Sequence, residues 1–227
     1  MVVRLNNPDI KTRLASYLSA RSDLEGGLFL DKEIIKALDV SNDSLENYAN
    51  SISGCVKCGI GKTRTKFVFG DGNENADIVF IGEAPGHDED IQGVPFVGRA
   101  GKLLDEILLN FGFTRKEVYI CNILKCRPPG NRDPNPEEIN NCEPYLRRQL
   151  EIINPSIIVA VGRIAAQTLL KNEIPIGKMR GTTYLYQGIP LFVIYHPAAL
   201  LRNPRLRENV DEDMKKIKSY YEKLKKI

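Results

Sequence analysis

No stretch of the 227-residue chain approaches the roughly 20 apolar residues that a membrane-spanning helix needs. The start, MVVRLNNPDIKTRLASYL, lacks the apolar run and cleavage pattern of a secretory signal, so a cytoplasmic protein without membrane partners is expected. Internal repeats and low-complexity tracts are also missing, which excludes solenoids and long disordered tails. Nor does one charge dominate. The 32 Lys and Arg nearly balance 29 Asp and Glu, leaving +3, too even to mark a nucleic-acid binder without local clusters. Histidine is scarce, with two in all.

What is present is enough apolar material, 42% of residues, for one good-sized core and a small appendage. Residues 1–50 read as a helical N-terminal extension. Leu14, Tyr17 and Leu18 share one helical face and Ile34, Ile35 and Leu38 another, with a break at Gly26-Gly27 and Ser/Asn-rich ground from Ser41 to Ser53. Residues 51–227 form the main domain. From Ala76 onward apolar strands alternate with amphipathic helices, the signature of an α/β fold. Strands are expected at 78–81, 118–124, 156–161 and 191–195. Between them, Leu103, Leu104, Ile107, Leu108 and Phe111 line one helix face, and Ile139, Cys142, Leu146 and Ile153 another. Near-continuous apolar strands imply a mainly parallel sheet covered on both faces. Ligands of such sheets bind outside the carboxyl ends of the strands, so Glu83, Asn122 and His196, each at or just past such an end, should meet at one rim.

Five cysteines in a reducing compartment point to metal ligands or packed core residues rather than disulfides, and the odd count fits four ligands and one bystander. Cys55 and Cys58 form a C-x-x-C pair, with Cys126 and Cys142 far along the chain. Four thiolates suit zinc or a [4Fe–4S] cluster equally, and spacing alone leaves both open. Cys121 is read as a packed strand residue, on the opposite face from Asn122.

Three runs, GEAPGHDEDIQGVPFVGRAGKLL (82–104), CNILKCRPPGNRDPNPEEINNC (121–142) and YHPAALLRNP (195–204), occur in the order found in the family-4 uracil-DNA glycosylases, and the chain resembles that iron–sulfur branch from about Cys55 to its end. The resemblance implies a three-layer α/β sandwich with a central four-stranded parallel sheet. It also implies a [4Fe–4S] cluster on Cys55, Cys58, Cys126 and Cys142. The implied activity is base-excision repair: uracil is flipped from single- or double-stranded DNA and its N-glycosidic bond hydrolysed, by an enzyme acting as a monomer. A related branch that bonds covalently to DNA carries a histidine in a basic loop, whereas RPPGNRDPNPEE has none, so no covalent intermediate is expected. Another branch has a nonpolar residue in place of Glu83.

The resemblance also implies roles that the chemistry can justify. A flipped base needs a stacking surface, a polar reader and charge stabilisation. Phe96 stands at the family's stacking position, where such a contact is worth roughly 1–3 kcal/mol. Asn122 offers one acceptor and two donors, the complement of uracil's N3–H and O4 edge and a mismatch for cytosine. His196 can aim a ring nitrogen at uracil O2, where negative charge develops. His87, in the loop GHDED, is assigned to the solvated surface. Glu83, beside Ala84, which occupies the slot of the water-positioning aspartate of other uracil glycosylases, is expected to align or activate water. Glu89 is expected as a further polar group near base or water, and Gly82 and Gly86 let the backbone approach the ligand. In HPAALLRNPRLR (196–207), Leu200 or Leu201 would fill the gap left by the flipped base while Arg202, Arg205 and Arg207 hold phosphates, with Arg127 and Arg132 as further contacts. Two other functions fit the cysteines: a non-catalytic four-cysteine zinc module that binds nucleic acid, and an electron carrier.

Overall fold

The four apolar segments read from the sequence form the centre of a six-stranded sheet in the computed structural model, which describes residues 44–225. The described residues open with helix α1 (Leu45–Ile52), then strand β1 (Asp71–Gly72) and strand β2 (Ile78–Gly82). Helices α2 (His87–Gln92) and α3 (Arg99–Asn110) lead to β3 (Tyr119–Asn122). Helix α4 (Pro136–Ile153), β4 (Ile157–Val161), α5 (Arg163–Leu170) and the short α6 (Ile176–Met179) follow. Strands β5 (Tyr184–Tyr186) and β6 (Ile189–Ile194) and helices α7 (Pro197–Arg202) and α8 (Arg207–Leu224) complete the fold. The helices expected around Leu14 and Ile34 lie outside the described residues. The Ser/Asn-rich stretch is helical from Leu45 to Ile52.

Strand order is β1-β3-β2-β4-β6-β5. The inner four are parallel, with Gly82 opposite Asn122, Ile78 opposite Ile157 and Ile158 opposite Leu191. The sheet therefore exceeds the expected four strands by two short antiparallel edges. β1 is two residues long, too short for a periodic signal. β5 joins β6 through Gln187 and Gly188, both at positive φ (51° and 80°), the backbone a tight hairpin turn demands.

Alternation along the strands divides the core. Ile78, Phe80, Ile120, Val159 and Phe192 pack with Leu104, Ile107 and Leu108 of α3 and with Val210, Met214 and Ile217 of α8. Val79, Ile81, Ile158 and Ala160 are equally buried but point the other way, where α5 packs on β4 and β2. Burial on both faces explains why these strands are apolar throughout. Each fully buried Leu or Ile contributes roughly 1.5–3 kcal/mol. Helix α4 starts where Pro136 pre-sets φ and Glu138 returns to the Asn135 N–H at 2.8 Å. Its inner stripe, Cys142, Leu146, Leu150 and Ile153, matches the expected face, with Ile139 partly buried. Among the described residues no helix is long and apolar enough to cross a membrane.

Candidate active site and cysteine corner

From β2 the chain crosses to β3 on one side, and from β4 to β6 on the other, so the sheet reverses direction between β2 and β4. A cleft of about 590 Å³ opens at the carboxyl ends of these strands. Each parallel strand supplies it: Glu83 after β2, Asn122 at the end of β3, Gly162 and Arg163 after β4, Tyr195 and His196 after β6. Glu83, Asn122 and His196 thus share one cavity, as the strand-end rule predicts. Phe96, Ala84, Gly86, Glu89 and Arg202 line it too.

At the floor, Asn122 is 2% exposed and its Oδ1 has no hydrogen-bond partner. A buried acceptor left unpaired costs roughly 1–3 kcal/mol, so it is built for a donor that arrives from outside. Gly82 permits the arrangement. A Cβ there would collide with Asn122 Oδ1 and stand 2.6 Å from the Phe96 ring. Phe96 stacks on His196 with ring centres 5.4 Å apart.

His196 caps α7, and its Nδ1 accepts the Ala198 N–H at 3.1 Å. That bond requires a lone pair on Nδ1, which leaves the proton on Nε2. Burial, helped by Arg202 and opposed by Glu89, pushes the imidazole pKa down to about 4. The ring is therefore a neutral donor at physiological pH, a point the sequence left open. Glu83 moves the opposite way. Burial, then the Asp133 carboxylate, raise its pKa to about 7 against the pull of Arg163. Arg163 holds Asp133 at 2.7 Å, and both line the cleft.

Several expected roles change with the geometry. Glu89 does not reach toward base or water with a free carboxylate: it accepts the Gly86 N–H at 3.1 Å and those of Val97 and Gly98 at 2.9 Å each. It fixes the loop carrying Phe96. Gly86 serves this same closure, since a Cβ there would meet Glu89 Oε2 at 2.7 Å. Leu200 is 4% exposed and packed in the core, whereas Leu201 is 50% exposed, so only Leu201 is presented to solvent. Arg202 and Arg205 are exposed, but Arg207 pairs with Asp211 at 3.0 Å. Arg132 is bound to Glu138 through both terminal nitrogens, at 2.9 and 2.6 Å. Arg127 bonds Asn131 and the exposed His87 at 2.8 and 3.1 Å. Asp133 and Arg163 were missed, although Arg163 follows β4 and the strand-end rule points to it.

Cys55, Cys58, Cys126 and Cys142 lie near enough to influence one another electrostatically. Cys58 caps the short helical turn Gly59–Lys62, and Cys142 lies on the inward stripe of α4. Tyr145 Oη approaches Cys55 Sγ at 3.2 Å, Arg64 Nη1 approaches Cys126 Sγ at 3.4 Å, and the Lys125 N–H donates to Cys142 Sγ at 3.3 Å. Arg64 also holds the carbonyls of Cys55 and Ser53. Cys126 feels the charges of Cys58 and Cys55, and Cys142 those of Cys126 and Cys58. Burial raises the Cys126 pKa and pushes that of Cys142 up to about 11, so as free thiols both keep their protons. Lys125 is fully buried, its Nζ donating to the Asn122 carbonyl at 2.9 Å. Burial depresses its pKa, and the negative charges that would offset it are those of Cys121, Cys142 and Cys126. A metal group bound in place of the thiol protons would leave anionic sulfur beside the ammonium, which fits this donor set. Among the described residues no three His, Cys, Asp or Glu side chains close on a single metal ion. Cys121 is fully buried within β3, and burial raises its pKa.

Comparison with known proteins shows the family to which the sequence is similar. The sequence pattern of the family described as the uracil DNA glycosylase superfamily matches residues 69–225. A type-4 uracil-DNA glycosylase of Archaeoglobus fulgidus is 50% identical over 183 residues, covering 77% of this chain and 92% of that protein. Another, from Thermotoga maritima, is 45% identical over 186 residues, 79% of this chain and 95% of its own length. A type-5 uracil-DNA glycosylase of Pyrobaculum aerophilum is more distant, 32% identical over 57% of this chain and 64% of its own.

Proposed function

The chain belongs to the uracil DNA glycosylase superfamily, and within it to the type-4 enzymes that remove uracil in DNA repair, and we propose that it does so by water-mediated hydrolysis of a flipped nucleotide at the Asn122 cleft. The observation that carries this is the buried, partnerless Asn122 Oδ1. Uracil N3–H is the donor it lacks. Cytosine offers a lone pair at that position, so its entry would leave two acceptors facing each other.

As the C1′–N1 bond breaks, its electron pair passes to the base and positive charge remains on the sugar. His196 Nε2–H, kept on that nitrogen by the Ala198 amide, stabilises the charge developing at O2. Glu83 as carboxylate accepts a proton from water as the water oxygen bonds to C1′, leaving an abasic site. Its pKa near 7 suits a general base at neutral pH. Phe96 supplies the stacking face. Leu201 and the exposed Arg202 and Arg205 are the DNA contacts: a wedge for the vacated stack and two phosphate partners.

Cys55, Cys58, Cys126 and Cys142 would hold a [4Fe–4S] cluster, which supplies a cross-link among segments distant in sequence. Substrates are single- or double-stranded DNA, and the enzyme acts as a monomer. Incubation with a uracil-containing oligonucleotide followed by alkali tests the function. Strand cleavage at the uracil position is expected; an oligonucleotide left resistant to alkali would overturn it.

A further inference from the structure

Phe96 is held in the left-handed region, at φ +54°. Residues other than glycine avoid it, and it persists only where surrounding structure imposes it. Here the imposition can be traced. Arg115, in the link between α3 and β3, donates from Nη1 to the Phe96 carbonyl at 3.0 Å and from Nη2 to the Pro95 carbonyl. The same guanidinium is anchored by Asp71 of β1 at 2.8 Å and Asp105 of α3 at 3.0 Å. Gly101 admits the carbonyl: a Cβ there would overlap the Phe96 oxygen. Glu89 takes the next two amides from the other side. The loop is thus gripped by its carbonyls and its amides, and the Phe96 ring is carried against His196 and over Gly82.

We infer that Arg115, which does not line the cleft, is a positioning residue for base recognition, fixing the twisted backbone of Phe96 so that its ring meets the flipped base. The inference rests on the uracil-release function proposed above. A planar fork that serves two carbonyls and two carboxylates at once has no equivalent in a single ammonium, so lysine should not replace it.

The test measures kcat, KM and inhibition by free uracil for Arg115→Met, Arg115→Lys, Phe96→Ala and the Arg115→Met/Phe96→Ala pair, with iron content and thermal midpoint followed in each. Arg115→Met should weaken uracil inhibition and kcat/KM by about tenfold or more, as loss of a stacking face would. Arg115→Lys should not restore either, and removing Phe96 from the Arg115→Met enzyme should cost little more. Unchanged uracil inhibition in Arg115→Met, or full additivity with Phe96→Ala, would overturn the inference. Should Arg115→Met fail to fold, Asp105→Asn, which frees one side of the guanidinium, decides by the same additivity with Phe96→Ala. A wild-type enzyme that leaves the uracil oligonucleotide intact would fail the function instead, a result separable from any of these.

Discussion

The Asn122 cleft and the cysteine corner lie at opposite ends of one short segment, since Asn122 and Cys126 are four residues apart. They use burial for contrary purposes. In the cleft, burial brings a base to about 7 at Glu83 and a neutral donor to His196, and it leaves Asn122 an acceptor to be filled by substrate. In the corner, burial makes the thiols hold their protons and depresses the pKa of the buried Lys125 amine, which negative charge on the neighbouring sulfurs would offset. The first environment is tuned to change state during a reaction, and the second to remain in one state. Chemistry should therefore fail with the cleft residues, and folding with the cysteines.

Glu83→Gln is the strongest test of that division. Excision should fall by about 10²- to 10⁴-fold, the usual worth of a general base, with iron content unchanged. Stability should move the other way. A carboxyl whose folded pKa is raised binds extra protons in the folded state, so its contribution is fully present below its unfolded pKa of 4.5 and is lost as pH rises through about 7. The variant should thus gain thermal stability over wild type at pH 8 and little at pH 4, measured by calorimetry. A parallel loss of activity and stability at pH 8 would make Glu83 a structural residue.

Cys142→Ala should show the converse. Losing a tether between distant segments resembles losing a long-loop cross-link, worth about 4 kcal/mol, or about 10 °C in thermal midpoint for a domain of this size. Iron and brown colour should be lost, while folded enzyme at low temperature keeps its preference for uracil over cytosine. If colour and iron survive, Cys142 is not a ligand. If bound zinc replaces them in wild type, the corner is a zinc site.

A smaller contrast lies within α7. Leu201→Ala should lower excision from duplex DNA by about tenfold, the worth of one exposed leucine newly buried, and leave single-stranded excision and stability alone. Leu200→Ala should destabilise the fold by about 2–4 kcal/mol as a core truncation. Equal effects of Leu201→Ala on duplex and single strand would remove its role as a wedge.

Why some of this was legible and some not follows from particular residues. Glu83, Asn122 and His196 could be assembled because apolar strands are recognisable and strand ends converge. Arg163 obeyed the same rule after β4 and was open to the same inference. Asp133 was not, because its approach to Glu83 depends on the path of the 128–135 loop rather than on a periodic element. The adjacent Leu200 and Leu201 carry no phase of their own; the rotation of α7 decides which is buried. Glu89 lies in an acidic turn whose amide partners, Val97 and Gly98, become neighbours only when the loop closes. The proposal of four cysteines as ligands, and uracil itself, came from motif resemblance, since thiol spacing fits zinc as well as iron.

The finest test separates the two titrating groups of the cleft from each other. With His196 near 4 and Glu83 near 7, the fall of kcat/KM below neutral pH belongs to Glu83. Asp133 raises that pKa and Arg163 lowers it, and the two are paired. Asp133→Asn removes a repelling carboxylate and frees the arginine, so both changes ease ionisation of Glu83 and carry the acid limb to lower pH. Arg163→Gln should carry it higher. The displacement is read from single-turnover rates between about pH 5 and about pH 9, the span around neutrality in which a base of this kind operates. A limb that stays in place in both variants would assign the ionisation to a group other than Glu83, and would leave the carboxylate a role in orienting water without taking its proton.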